Sequence, residues 1–277
     1  MVYNNSISEI ISQIAEVAGY LWERGWAERN GGNISYNITD VVDETITSLK
    51  PLGESIVLPQ PVTNLCDNYF IVTGTGKRMR YVHSTPMKNM SIIRISEDGT
   101  YYDIIAEEYI RPTSELPSHL MIHYYLIGKG RKNKVVVHTH PIELVAMTHN
   151  PAFLEKDVLS KILWSMIPET RAFCPKGLGI ARYQLPGSVV LAEETIKQLD
   201  EYDVVMWEKH GAVAIGEDLI EAFDMIDTLS KSAKIYESAC SMGFVPKGMT
   251  DEQMDELKRV FNPVSYTHLT LPTTSRV

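Results

Sequence analysis

Two kinds of strand signal coexist in this chain, and their coexistence is what most constrains its fold. One kind is a hairpin. Ser91 to Glu97 and Thr100 to Ala106 are β-rich runs on either side of Asp98-Gly99, a dipeptide suited to the tight turn between antiparallel strands. The other kind stands singly between helical segments. Lys134 to Thr139 follows a helical pattern over Leu116 to Ile127, and Asp203 to Trp207 follows another over Ser188 to Leu199. The combination predicts an α/β protein with a mixed, largely antiparallel sheet covered by helices, and not a strict βαβ repeat.

The remaining segments fit that frame. Ser6 and Glu9 have the spacing of a capping box, and Ile7, Ile10, Ile11, Ile14, Val17, Ala18, Leu21 and Trp22 recur at helical spacing behind it. Arg29 to Asn33 reads as a turn, and Ile34 to Ile38 as a strand. Residues 40–66 carry Pro and Thr with no clear period and read as an irregular excursion. Asn68 to Thr73 is a strand that ends in Gly74-Thr75-Gly76-Lys77. Pro141 suits the first turn of a helix, and a further helix is expected over 153–166. Short strands are expected near 171–174 and 179–183, and another over Ala212 to Ile215. A long helix runs from about Asp218 to Met242 with Gly243 as its stop, and a last one covers 250–261. No repeat or long linker divides the chain, so one domain is expected over 1–262, with the excursion at about 39–67.

From Val264 the sequence reads VSYTHLTLPTTSRV, without period or caps. Back-translated, its first eleven residues resemble a transposase sequencing adapter read in frame. Residues 263–277 are therefore read as a non-native tail, and His268 is given no functional weight.

Composition narrows the class of function. Apolar residues are 44% and charged residues 22% of 277, an ordinary globular balance. The net charge of −9, with no basic stripe, argues against nucleic acid as a partner. No apolar run approaches the roughly 20 residues of a membrane helix, and the first residues lack the pattern of a signal peptide. Cys66, Cys174 and Cys240 are far apart and form no CxxC pair, which argues against a disulfide scaffold and for a reducing, cytoplasmic setting.

The sharpest chemical feature is Val135-Val136-Val137-His138-Thr139-His140-Pro141. Residues two apart on a strand share a face, so two imidazoles there can grip one metal ion. A catalytic zinc wants three protein ligands and an open position. His210, before Gly211 and between two short apolar strands, is available as the third. Taken alone, an H-x-H pair or a His before Gly is better explained by ordinary polar residues at strand ends and turns. In Arg111-Pro112-Thr113-Ser114-Glu115-Leu116-Pro117, Ser114 or Thr113 can cap a helix, with Glu115 as a first-turn acid. The functional alternative makes Glu115 a general base beside the metal, with Ser114 binding an anion. Asn30-Gly31-Gly32-Asn33 and Thr73-Gly74-Thr75-Gly76-Lys77 let backbone amides approach a phosphate, but match neither the P-loop nor the dinucleotide spacing. His119 and His123, four apart on a helix with no Glu in the metalloprotease position, read as helix-surface polarity. His83 and His149 read as incidental.

Several segments in one order carry a more specific signal. They are Gly25-Trp26-Ala27-Glu28-Arg29-Asn30-Gly31-Gly32-Asn33, Phe70-Ile71-Val72-Thr73-Gly74-Thr75-Gly76-Lys77, Pro112-Thr113-Ser114-Glu115-Leu116-Pro117, His138-Thr139-His140 and His210-Gly211. Together they resemble the class II sugar-phosphate aldolase/epimerase family. The likeness extends to about residue 262, and the extra length between 38 and 70 is similar to the family's rhamnulose branch. The resemblance implies a single-domain, three-layer α/β/α fold. It implies a cytoplasmic lyase of rhamnose catabolism that cleaves L-rhamnulose 1-phosphate to dihydroxyacetone phosphate and L-lactaldehyde through a metal-stabilised enediolate. It further implies one zinc ion per subunit on His138, His140 and His210, with Glu115 as the acid/base residue. Asn30, Asn33, Thr75, Gly76 and Ser114 would hold the phosphate and hydroxyls of the dihydroxyacetone half. Glu169 would serve the aldehyde end across a subunit interface in a cyclic homotetramer, with neither nucleic acid nor membrane as a partner. Within the family, ribulose-5-phosphate 4-epimerases carry Asp at the position of Glu115, whereas a methylthioribulose-1-phosphate dehydratase keeps Glu there. Adducin-like heads share the fold without the zinc ligands. The departure from the family's pattern is the segment beyond Pro263.

Overall fold

The structure, a computed structural model, describes residues 3–261. The non-native reading of 263–277 lies outside the described residues. In chain order the elements are α1 (Asn5–Glu23), β1 (Asn33–Asn37), α2 (Glu44–Thr47), β2 (Ile56–Val57), β3 (Tyr69–Thr73), α3 (Met79–Ser84), β4 (Met90–Ile95), β5 (Tyr101–Ile104), α4 (Leu116–Gly128) and β6 (Val135–Thr139). After these come α5 (Ile142–Met147), α6 (Val158–Met166), α7 (Pro168–Phe173), β7 (Gly179–Ala181), α8 (Val189–Gln198), β8 (Val204–Trp207), β9 (Gly211–Gly216), α9 (Leu219–Ser241) and α10 (Asp251–Val260).

Among the described residues, nine strands form one sheet in the order β2-β5-β4-β3-β1-β6-β9-β8-β7. Every neighbouring pair is antiparallel except β7 and β8, so the sheet is mixed and largely antiparallel, as the sequence predicts. Alternation along the strands builds two cores. Val135, Val137, Val204, Met206, Ala212 and Ala214 join the buried faces of α1 and α9. Their alternates Val136, Val205, Trp207, Val213 and Ile215 pack on Ile122 and Leu126 of α4 and Leu191 of α8. The sheet is thereby covered on both faces. Each such aliphatic side chain removed from water contributes about 1.5–3 kcal/mol.

The Asp98-Gly99 hairpin forms as expected. Gly99 takes φ +71°, and the Ser96 hydroxyl donates to Asp98 at 2.6 Å across the turn. The excursion is irregular apart from α2, two short 3-10 turns and β2, which pairs Ile56 and Val57 with β5 at the sheet edge.

Four local expectations are corrected. Helix α1 is capped by Asn4, not Ser6: the Asn4 side chain accepts from Ile7 N at 2.9 Å and also donates to Val41 O and Asp43, tying the helix start to the excursion. The helix expected over 153–166 begins only at Val158, because Asp157 at φ 62° breaks the backbone after a 3-10 turn over Pro151–Leu154. The strand expected near 171–174 is helix α7. Pro168 at its first position favours a helical start, and Thr170 is held against Ser232 of α9 by a buried 2.6 Å hydrogen bond. Neither Ser114 nor Thr113 caps α4: Glu115 occupies the cap position, which has no side-chain cap bond. Helix α3 was not anticipated.

Candidate metal centre

The site grows from the register of three neighbouring strands. Asn33 opens β1 directly opposite His138 of β6, and His138 lies opposite Val213 of β9. Cross-strand partners share a face, so Asn33 and His138 stand side by side. His140 lies just past the end of β6. The turn joining β8 to β9 brings His210 in, with Lys209 at φ 61° and its N–H donating to Thr148 Oγ1 at 2.8 Å. Gly211 must be glycine: a Cβ there would meet His138 Cε1 and His140 Cδ2, each at 2.8 Å. Gly32, at φ +75°, lies against the His138 carbonyl in the same way.

The structure brings His138, His140 and His210 together, with one ring nitrogen of each inside a common 4.8 Å. The hydrogen bonds on the outer nitrogens show that this set fits a cation. A carbonyl oxygen only accepts, so His138 Nδ1–H donates to Ala212 O at 3.0 Å and its Nε2 carries a lone pair. His140 Nδ1 donates to the Glu28 carboxylate at 2.7 Å, so the neutral form of that ring has its lone pair on Nε2 as well. The two Nε2 atoms face each other at 3.2 Å. Two opposed lone pairs repel each other, and a cation bound between them removes the conflict. Burial pushes His138 well below the ordinary histidine range and His210 down to about 4, with the neighbouring rings adding to each shift, so both are neutral donors. Buried His210 Nδ1 has no protein partner among the described residues. Three histidine nitrogens suit zinc.

Glu115 stands beside the set, with Oε2 at 3.6 Å from His138 Nε2 and Oε1 at 3.9 Å from His210 Nε2. Asn33 Nδ2 donates to its Oε2 at 2.7 Å. Burial raises the Glu115 carboxyl above its ordinary range, against the opposing pull of the Asn33 hydrogen bond and of His140. Asn30 and Ser114 share with these groups a pocket of about 320 Å³, also lined by Glu28, Arg29, Gly31 and Gly32. Thr75 and Gly76 do not line it. They are stitched to it by Thr75 N donating to Arg111 O and Thr113 N donating to Thr73 O, at 2.8 and 2.9 Å, in the strip that leads to Glu115. Glu169 lies outside the pocket, exposed on α7.

Two sets of residues escaped the sequence reading. Glu28, which holds His140, sits in a turn with nothing in its spacing to mark it. His119 and His123, expected on a helix surface, are buried. With Ile122 and Leu126 they form the i, i+3, i+4, i+7 stripe that packs on the sheet, so the period was visible but the polar residues hid which face is inward.

Residues 12–236 match the model of the class II aldolase and adducin N-terminal domain family. The chain is 56% identical over 259 residues to the rhamnulose-1-phosphate aldolase of Bacteroides thetaiotaomicron, covering 93% of this chain and 96% of that protein. It is 34% identical over 257 residues to the rhamnulose-1-phosphate aldolase of Enterococcus faecalis, covering 91% and 90% respectively. Among solved structures, the sugar-phosphate aldolase of Thermotoga maritima superposes with a TM-score of 0.76 at 32% identity, over 88% of this chain and all of that one. The chain belongs to the class II aldolase and adducin N-terminal domain family.

Proposed function

We propose that this protein is a zinc-dependent lyase that cleaves L-rhamnulose 1-phosphate to dihydroxyacetone phosphate and L-lactaldehyde. The observation that carries the reading is the buried Glu115 carboxylate 3.6 Å from a ligand of a three-histidine donor set. The full-length relatives named for rhamnulose 1-phosphate support the substrate. Adducin-like scaffolding has no use for such a donor set.

Cleavage leaves the C3–C4 electron pair on C3, releases the C4 hydroxyl proton to solvent as that carbon becomes an aldehyde, and requires a proton at C3, which Glu115 can supply only in its protonated form. His138, His140 and His210 would hold a cation, which would supply Lewis-acid neutralisation of the negative charge that develops during cleavage. Glu115 delivers the proton to C3 in cleavage and removes it in condensation. With Oε2 held by Asn33, the carboxylate keeps one orientation, which a proton carrier needs. Asn30 and Ser114 in the pocket, with Thr75 and Gly76 on the adjoining turn, bind the phosphate and hydroxyls of the dihydroxyacetone half. Glu169, exposed and outside the pocket, serves the aldehyde end from a neighbouring subunit of a homotetramer.

The test is release of dihydroxyacetone phosphate from L-rhamnulose 1-phosphate, coupled to NADH oxidation, with chelator and zinc add-back. Release should stop with chelator and return with zinc, and Glu115→Gln should lower kcat by about 10²–10⁴-fold. A folded, zinc-loaded protein without release would move the assignment to the epimerase or dehydratase reaction. A folded protein that binds no stoichiometric zinc would indicate a scaffold.

A further inference from the structure

Behind Glu115 lies a run of polar side chains that the reaction as described does not use. Ser35 follows Asn33 by two positions on β1 and so shares its face, and α4 lays His119 and His123 across that face. Asn33, Ser35, His119 and His123 are all buried. The contacts run from Glu115 Oε2 to Asn33 Nδ2 at 2.7 Å and from Asn33 Oδ1 to His119 Nε2. They continue from His119 Nδ1 to Ser35 Oγ at 2.7 Å and from Ser35 Oγ to His123 Nε2 at 2.9 Å.

Each link has one allowed direction. A carboxylate accepts, so Asn33 presents its NH₂ to Glu115 and turns its carbonyl oxygen to His119. That oxygen accepts, so His119 carries its proton on Nε2. A neutral imidazole has a single N–H, so His119 Nδ1 accepts from the Ser35 hydroxyl. The hydroxyl proton is then committed, and Ser35 Oγ receives the Nε2–H of His123. Burial keeps both rings neutral by lowering each to about 3.

We propose that His123, Ser35 and His119 are positioning residues: they form a one-way hydrogen-bond chain that locks the tautomer of His119, hence the amide orientation of Asn33, hence the carboxylate of Glu115. The inference rests on the assignment of Glu115 as the proton carrier. Buried polar groups cost stability unless each is satisfied, and a satisfied chain of them specifies one arrangement. Without the Ser35 hydroxyl, His119 is free to move its proton to Nδ1. The Asn33 amide then turns over and sets its oxygen against the Glu115 carboxylate. The chain also gives Asn33 a task beside any contact with the dihydroxyacetone half, because its carbonyl oxygen and one of its two N–H groups are engaged inside the protein.

Zinc-loaded variants test this. Ser35→Ala, which deletes one oxygen, should lower kcat about tenfold, the effect of one hydrogen bond to a charged group, at unchanged KM and zinc stoichiometry. In His119→Gln the side-chain amide can offer Asn33 either its NH₂ or its oxygen, so nothing remains for Ser35 to lock. That variant should itself lose about tenfold in kcat, and adding Ser35→Ala to it should cost nothing more. A kcat unchanged in Ser35→Ala, or the same loss on both backgrounds, would overturn the proposal. Should His119→Gln not fold, Ser35→Ala alone decides it. A second readout is independent of turnover. Nitrogen-15 histidine NMR should find His119 as the Nε2–H tautomer in the wild type, and the Nδ1–H tautomer would refute the chain. A wild type that fails to cleave L-rhamnulose 1-phosphate yet shows the Nε2–H tautomer would sink the functional reading and leave the chain standing. Cleavage with the other tautomer would do the reverse.

Discussion

Two histidine pairs in this protein have similar spacing logic and opposite fates. His138 and His140 are two apart at a strand end, His119 and His123 four apart on a helix, and each spacing puts both rings on one face. In the helix pair the nitrogens are spent on the protein: Asn33 and Ser35 take both of His119, and Ser35 takes His123 Nε2. In the strand pair only the outer nitrogens are spent, on Ala212 O and Glu28, and the two Nε2 atoms are left facing each other beside a pocket. Spacing brings imidazoles together. Whether they hold a cation or a carboxylate's support depends on what the remaining nitrogens find.

The largest effect should separate the pairs outright. His138→Ala, or chelation of the wild type, should lower dihydroxyacetone phosphate release by about a thousandfold or more, since the Lewis-acid contribution is worth several kcal/mol. His123→Gln should leave zinc stoichiometry intact. Loss of zinc from that variant, measured by elemental analysis, would erase the distinction drawn between the pairs. The next effect sharpens it. Glu28→Gln weakens the group that orients His140 without touching its Nε2. Zinc affinity, measured by competition with a chromogenic chelator, should fall about 10–100-fold. An unchanged affinity would mean that the backbone alone orients the ring.

The contrast also explains what could be seen from sequence. The Asp98-Gly99 hairpin, the Val135-to-His140 strand and the turn at Gly211 were legible because each depends on residues next to one another in the chain. His138, His140, His210 and Glu115 were legible as candidates because their motifs are distinctive in order. The relation of Asn33 to Glu115 was not, since it arises from β1 pairing with β6 while α4 crosses above, and the two residues are 82 apart. The inward face of α4 was misread for a related reason. His119 and His123 look like solvent-facing polarity until Ser35 and Asn33, on another element, are there to satisfy them. Helix α7 was misread because a short apolar run suits either structure, and its partner Ser232 on α9 is 62 residues away.

The smallest effect, and the one that isolates the helix pair, is in the acid limb of stability. His119 and His123 titrate at about 3 when folded and near the ordinary 6.5 when unfolded. Between those values the unfolded chain binds more protons, so stability is complete above 6.5 and is lost as pH falls toward 3. Each such group contributes a slope of at most about 1.4 kcal/mol per pH unit within that window. His138 and His210 are also depressed, so the metal-free wild type carries their slope too. His123→Gln removes only one helix-pair group and keeps a donor for Ser35. Urea unfolding of the metal-free proteins across this window should therefore show a slope shallower by about 1.4 kcal/mol per pH unit in the variant. Parallel slopes would mean that His123 takes up its proton in the folded state, which the Ser35 hydroxyl and the sealed face of α4 oppose. Above 6.5 the two proteins should differ by a constant, because there neither state gains a proton that the other lacks.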